Sequence, residues 1–387
     1  MRETYCALGW TGLNITPRSA SVCCWSSERI PYSQVNQSNA IESPILFVTR
    51  DKMLKNELVA GCSQCYHNED IGIWSRRQHA NERIGRVEEV KLRTLDISFD
   101  NICNLKCRGC ISAASHLWRD DEEAIYGRTF FDKKYDKSNL WESIDYSGLD
   151  KIIVSGGEPF LSPNAEAFFA KLDNIENIDL TVSTNGTVLP GPAFYNALLN
   201  CKSLDLSISL EGYGSVTEYF RSLSNFDTVI ANLRELEKLI DLRKTKTLIQ
   251  ITTVVSIYNA TKLSDLGDFL KKEFPRVAWL TKVLSWPPQL SLSNMPEDLK
   301  DIMRPVIESY GPSQQHILNH LNMPGDNLFE HFLNFHNKLD ELRNENLRNC
   351  NELLADYVDA YQTQNPVRVD SKEFLNTQML NLLSNLG

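Results

Sequence analysis

Phe99-Asp100-Asn101-Ile102-Cys103-Asn104-Leu105-Lys106-Cys107-Arg108-Gly109-Cys110 is the stretch from which the rest of the chain can be read. Its three cysteines have the spacing C-x3-C-x2-C and follow a strand-like segment over residues 93–99. Cysteine thiolates are the usual holders of iron–sulfur clusters, and four ligands close a four-iron cube. Three thiolates on one short loop leave one iron without a protein ligand, ready to bind something else. The alternative is a zinc knuckle, which needs a fourth donor close by. His116 is a candidate, but it lies beyond the loop in a predicted helix.

The chain around this loop alternates strand and helix. Short segments rich in β-branched residues or leucine, each followed by a turn signal, mark strands at 93–99, 151–155, 178–183, 204–210, 247–256 and 277–284. Helices are expected at 138–147, 162–173, 192–200, 226–241 and 261–273. Six such units imply a parallel sheet. The expected fold is α/β, a partial (β/α)6 TIM-like barrel open on one side, with its chemistry at the C-terminal ends of the strands. Residues 291–387 lack strand signals and read as a helical extension, with helices at 296–309, 325–345, 347–361 and 371–386.

The second chemical signal is Val154-Ser155-Gly156-Gly157-Glu158-Pro159-Phe160, at the end of the next strand. Paired glycines admit positive φ and close approach of a ligand to the backbone, and Pro159 stiffens the exit. C-x3-C-x2-C after one strand and Gly-Gly-Glu-Pro after the next resemble the radical S-adenosylmethionine (SAM) superfamily, and the resemblance covers about residues 91–290. It implies a [4Fe–4S] cluster on Cys103, Cys107 and Cys110, with the open iron chelated by the amino and carboxylate groups of SAM. The turn Gly156, Gly157, Glu158, Pro159 would hold the amino group. The strand ends Ser183-Thr184-Asn185-Gly186 and Ser207-Ile208-Ser209-Leu210-Glu211-Gly212 extend the likeness. By it, Ser209 would bind the SAM carboxylate, and Asn185 or Glu211 would face the ribose or the substrate. Arg221 is a weaker carboxylate candidate, with a surface ion pair as its alternative. One departure stands out: the family often has an aromatic residue before the third cysteine, over the adenine, and here that residue is Gly109. Adenine would then rest on residues near 254–257 or 284–288. Trp286-Pro287-Pro288 is expected to line the barrel mouth or to link the barrel to the C-terminal helices.

Residues 1–90 hold a further set: Cys6, Cys23, Cys24, Cys62 and Cys65. A hairpin is expected from 11–17 and 22–25, a helix at 51–59, and a polar helix at 66–84. A cysteine, a hairpin cysteine, a helix and then C-x2-C resemble the auxiliary-cluster module called twitch, a shortened SPASM domain. That implies an auxiliary [4Fe–4S] cluster, with a four-cysteine zinc site as the alternative. Neighbours on a strand face opposite ways, so one of Cys23 and Cys24 is expected to be a ligand, with Cys23 preferred. Arg76, Arg77, Arg83, Arg86, His67 and His79 fall in the polar helix region, where a solvated face is the expectation and a clamp for a substrate carboxylate the alternative.

The chain has 387 residues and a formal charge of −10, which argues against nucleic acid as a partner. No apolar run reaches membrane-spanning length and no secretion signal opens the chain, so a cytoplasmic protein is expected. Lone Cys201 and Cys350 read as buried thiols. The functional expectation is reductive SAM cleavage to a 5′-deoxyadenosyl radical that abstracts hydrogen from a substrate, with a flavodoxin or ferredoxin as electron donor. Peptide oxidation or cross-linking is the first form, and chemistry on a sugar or small metabolite the second. A non-catalytic zinc or iron–sulfur binding protein is the rival from outside enzymology.

Overall fold

The computed structural model describes residues 3–31, 40–70, 72, 74–131 and 140–365. Its strands are β1 (Gly12–Ile15), β2 (Ser19–Ser21), β3 (Ile30–Pro31), β4 (Thr94–Ile97), β5 (Lys106–Cys107), β6 (Lys151–Val154), β7 (Asp179–Thr184), β8 (Ser203–Ser209), β9 (Arg221–Ser222), β10 (Thr247–Val255) and β11 (Ala278–Val283). Nine of them form one sheet in the order β11-β10-β8-β7-β6-β4-β1-β2-β3. The six expected barrel strands are present and parallel.

The N-terminal segment lengthens this sheet. Strand β1 runs parallel to β4, with Gly12 opposite Thr94 and Ile15 opposite Ile97. It is a seventh parallel strand, extended by the antiparallel β2 and β3. The expected return strand at 22–25 is in fact β2, three residues earlier. Cys23 and Cys24 lie in the turn that follows, so strand alternation does not govern that pair.

Strand alternation does govern the barrel wall. In β6 to β8, Ile152, Val154, Leu180, Val182, Leu204, Leu206 and Ile208 are buried in the layer between sheet and helices. The intervening positions are mostly polar and face the barrel axis. Across that inner face Ser207 Oγ meets Thr252 Oγ1 at 2.6 Å, and Gln250 Nε2 donates to Asp205 Oδ1 at 2.9 Å. A closed eight-stranded barrel fills its interior with packed apolar side chains; this one keeps a polar interior with room for ligands.

The helices differ from expectation in three places. The predicted helix at 51–59 lies earlier, at Pro44–Leu54, because Pro44 fits the first helical position after Ser43. The polar helix at 66–84 is two helices, Ser63–Asp70 and Arg76–Ile84. The second starts anew at a capping box in which Ser75 and Gln78 satisfy each other's backbone N–H groups. His67 and His79 therefore sit on different helices. Of 138–147, the described part has only a 3-10 turn at Leu140–Ser143, while the helix expected around His116 is a 3-10 turn at His116–Trp118 that leads into the helix Arg119–Tyr126. After the barrel come helices at Glu297–Glu308, Gln315–Leu321, Phe329–Arg343 and Glu352–Gln364. The helix expected at 371–386 lies outside the described residues.

The C-terminal helices share a core with the cysteine loop. Phe329, Phe332, Leu333, Phe335 and Leu339 pack in one cluster with Trp118, Tyr219, Phe220 and Tyr258. No helix among the described residues is long and apolar enough to cross a membrane.

Candidate functional site

The loop after β4 carries Cys103, buried, and Cys107 and Cys110, half-buried. A short antiparallel pairing of β5 with β9 fixes its course, setting Cys107 opposite Arg221. Arg108 N donates to Phe220 O at 2.8 Å in the same ribbon. Trp118 Nε1 donates to Cys107 O at 2.9 Å. The side chain of Arg108 points away from the site and is fully buried. It donates to Tyr219 O, Asp340 and Glu345, with its guanidinium 3.7 Å from the Tyr219 ring centre. Beside it Arg343 and Lys106 both bind Asp121, at 2.8 and 3.0 Å. The helical extension thus holds the cysteine loop from behind, a role the sequence did not announce.

The glycine turn lies on the other flank. Gly156 has φ +78° and Gly157 φ +53°, which L side chains rarely adopt. A Cβ on Gly156 would stand 1.6 Å from Ser98 Oγ, and one on Gly157 2.5 Å from Ile102 O. Glu158 N closes the contact by donating to Ile102 O at 2.7 Å. The two motifs, about fifty residues apart, form one rim.

That rim borders a cavity of about 410 Å3, in the usual range for small-molecule sites. Its lining brings together Cys103, Cys107, Cys110, Gly156, Gly157, Ser183, Asn185, Ser209, Glu211 and Arg221. Val254, Leu284, Ser285 and Trp286 supply the wall expected near 254–257 and 284–288. Gly109 also lines it; a Cβ there would meet Phe220 Cζ at 3.3 Å and Leu284 Cδ1 at 3.4 Å. The Phe220 ring occupies the space beside the missing aromatic, an exchange visible only through the β5–β9 pairing.

Two residues named from the sequence stand behind the cavity. Glu158 is buried, and its carboxylate accepts from Thr184 Oγ1 at 2.7 Å, Asn185 N at 2.6 Å and Phe160 N at 3.1 Å. Burial raises its pKa, while these hydrogen bonds oppose the rise. Pro159 is buried at the start of the following 3-10 turn. Both brace the turn; neither reaches the cavity.

The others split by partner. Asn185 donates to Asn104 Oδ1 at 2.9 Å and accepts from Thr187 N at 2.9 Å, so it ties the cysteine loop to β7. Glu211 is fully buried and takes both Nε and Nη2 of Arg221, the latter at 2.8 Å. Arg221 Nη1 reaches Cys107 Sγ at 3.6 Å. The surface ion pair considered for Arg221 is a cavity-wall pair instead. Ser209 lines the cavity with no hydrogen-bond partner for its hydroxyl among the described residues. His116 stays behind the loop, its Nδ1 3.4 Å from Cys103 N.

The donor set suits a cationic cluster. Burial, reinforced by the neighbouring thiols, raises the pKa of Cys110 well above its usual value. Burial likewise lifts Cys107 to about 12, against the pull of Arg221. Buried thiols give up their protons when metal binds.

A second gathering lies in the N-terminal segment. Cys6, Cys23, Cys62 and Cys65 surround a cavity of about 10 Å3, closed by Leu8, Val22, Met53 and Arg77. Cys24 is outside it, against Asp96 and Arg76. Burial lifts Cys6 to about 12, with the Cys23 thiol adding to the rise. Arg77 binds Glu69 at 2.7 Å and Tyr5 O at 2.9 Å, locking this segment together. Arg76 pairs with Asp96 on β4 at 3.0 Å, and Arg83 with Asp150 at 2.9 Å. The solvated helical face expected for these arginines is therefore wrong for Arg76 and Arg77, which pack on the barrel side of the helix, while Arg83 and Arg86 stay exposed, Arg83 paired with Asp150. No three His, Cys, Asp or Glu side chains among the described residues converge on a single-ion site. Cys201 and Cys350 are buried thiols, as expected.

Comparison with known proteins follows this geometry. The Radical SAM superfamily model matches residues 97–254. The chain is 28% identical over 119 residues to the GTP 3′,8-cyclase of Alkaliphilus oremlandii, covering 30% of this chain and 35% of that protein. It is 24% identical over 188 residues to the GTP 3′,8-cyclase of Helicobacter pylori, covering 48% and 54%. The chain thus spans about half the length, or less, of these curated relatives. Among solved structures, native anSMEcpe with bound AdoMet is 17% identical with a TM-score of 0.36, over 60% of this chain and 63% of that one. Streptococcus suis SuiB is 15% identical with a TM-score of 0.36, over 84% and 73%.

Proposed function

We propose, from the match of residues 97–254 to the Radical SAM superfamily model, that the protein is a radical SAM enzyme acting on a small molecule. Cys103, Cys107 and Cys110 would hold a [4Fe–4S] cluster, and the cavity beside them would take SAM. When bound together, these cofactors supply one-electron cleavage of the sulfonium to a 5′-deoxyadenosyl radical, which takes a hydrogen atom from the substrate.

The chain's own residues contribute position and exclusion of water. The backbone at Gly156 and Gly157 gives the SAM amino group carbonyls to donate to, with no side chain in the way. The unpartnered Ser209 hydroxyl is a donor for the SAM carboxylate. The Arg221 guanidinium, held by Glu211, offsets negative charge at Cys107. Phe220, Leu284 and Trp286 form the apolar wall for adenine. The observation that carries this reading is the single cavity in which three thiols, two positive-φ glycines, a free strand-end hydroxyl and an apolar wall meet.

Cys6, Cys23, Cys62 and Cys65 would hold an auxiliary [4Fe–4S] cluster as its four protein ligands once the thiols part to admit it, since the space among them is about 10 Å3. Fully ligated, it would accept or relay an electron rather than bind substrate through iron. The small-molecule reading takes its support from the curated relatives, which are named for a reaction of GTP. An anaerobic assay with dithionite and SAM tests the proposal. 5′-Deoxyadenosine is expected, with about eight irons per chain. A cluster-loaded protein that yields no 5′-deoxyadenosine overturns it.

A further inference from the structure

A larger cavity, about 680 Å3, lies at the opposite end of the strands from the cysteine loop. Thr94 and Lys151, the first residues of β4 and β6, form its floor with Ile153. The helix Arg76–Ile84 roofs it with Arg76, His79, Ala80, Glu82 and Arg83. Trp25 and Trp74 complete the lining, each about half exposed. Leu8, Trp25 and Arg76 also border the four-cysteine cavity, so a ligand here would lie beside that set and below the first.

The lining of this chamber carries more cations than acids. Asp96 engages one nitrogen of Arg76, and Asp150 one of Arg83. Arg76 Nε is buried without an acceptor. Lys151 has no carboxylate within 4 Å among the described residues. Burial lowers its pKa, and the nearby Arg83 and Arg76 lower it further, while Asp179 and Asp205 act the other way. Glu82 is the one acid in the lining. Three cations converge on a space whose walls also present two large aromatic faces. Charge-assisted contacts of this kind suit oxyanions, and tryptophan faces suit flat rings.

We propose that this chamber binds a small anionic molecule, its phosphate or carboxylate oxygens on Arg76, Arg83 and Lys151 and its flat apolar part against Trp25 and Trp74. Calling that molecule the substrate rests on the radical SAM reading; the binding itself does not.

Calorimetric titration of the full chain, prepared without oxygen, tests this with two probes: inorganic pyrophosphate and succinate. Wild-type protein is expected to bind at least one of them, and the tighter probe tells phosphate from carboxylate recognition. Lys151→Met and Arg83→Met should each weaken that probe by about tenfold or more, one lost charge-assisted contact. Melting curves identify any variant that fails to fold, and either variant alone suffices. Trp74→Phe should reduce the change in tryptophan fluorescence on binding. No binding of either probe by wild-type protein, or equal binding by both folded variants, overturns the inference. SAM binding is titrated on the same preparation. Its failure with oxyanion binding intact counts against the cofactor reading alone, and the converse counts against this inference alone.

Discussion

The two cysteine sets differ by one thiol and by the space in front of them. Cys103, Cys107 and Cys110 look onto about 410 Å3 rimmed by glycines and polar strand ends. Cys6, Cys23, Cys62 and Cys65 close on about 10 Å3, about the space of one water molecule. The set that lacks a fourth thiol has room for an outside ligand, and the set that has four has none. On the proposed reading, thiol count and free volume divide the two sets in the same way: an open site for chemistry and a closed one for structure or electron transfer.

Their supports differ as well. The open set is held from behind by the C-terminal helices, through the buried Arg108 and the half-buried Asp340 and Glu345. The closed set is held within its own segment, by Arg77 on Glu69 and on the Tyr5 carbonyl. Damage to the C-terminal region should therefore reach the first set and spare the second.

The hardest blow to this comparison is Cys107→Ala. It should abolish SAM cleavage, by more than about 10³-fold, as removal of an essential member of a catalytic unit does. Retained 5′-deoxyadenosine formation would end the assignment of the open set. Next comes Cys62→Ala, which should lower iron by about four atoms per chain. SAM should still bind, as titration of the variant would detect; loss of SAM binding there would mean that the two sets are not separate.

A smaller effect is expected from pH. Burial depresses the pKa of His336 from 6.5 to about 4, with Arg108 adding to the effect and Asp340 opposing it. Between those values the unfolded chain carries a proton that the folded one does not, so stability falls as the pH drops from 6.5 toward 4. The full loss is on the order of 3 kcal/mol. His336 lies 3.1 Å from Tyr219 Oη, inside the support of the open set. Urea unfolding of His336→Gln across this range should show a flatter profile; an unchanged slope would assign the loss elsewhere. The smallest effect belongs to Cys24→Ala. It should leave the iron content unchanged and stability within about 0.5 kcal/mol, whereas Cys23→Ala should behave as Cys62→Ala does. Iron analysis of the two adjacent variants gives the sharpest contrast available.

Much of the barrel was legible because its signals are local. Residues 178–183 were read as a strand and β7 is Asp179–Thr184; 247–256 became Thr247–Val255. Period-two burial needs only the segment itself. The helix at 66–84 misled because its composition is polar throughout, and Ser75 with Gln78 restarts it by side-chain capping that hydropathy does not register. Arg76 and Arg77 on it were misread for the same reason. Charge on a helix reads as solvent-facing until something packs on that face, and here the packing partner is β4, with Asp96.

The sequence alone determined the thiol spacing on the cysteine loop, the glycine pair and the phase of each barrel strand, because each is set within a few residues by covalent distance or backbone period. The tertiary structure decided which of Cys23 and Cys24 joins the closed set, that Arg221 stands opposite Cys107, that Phe220 fills the space beside Gly109, and that Arg76 and Arg83 face a chamber. Each of these depends on the register between segments far apart in the chain. Register between distant segments follows from packing of the whole core, which no local pattern encodes.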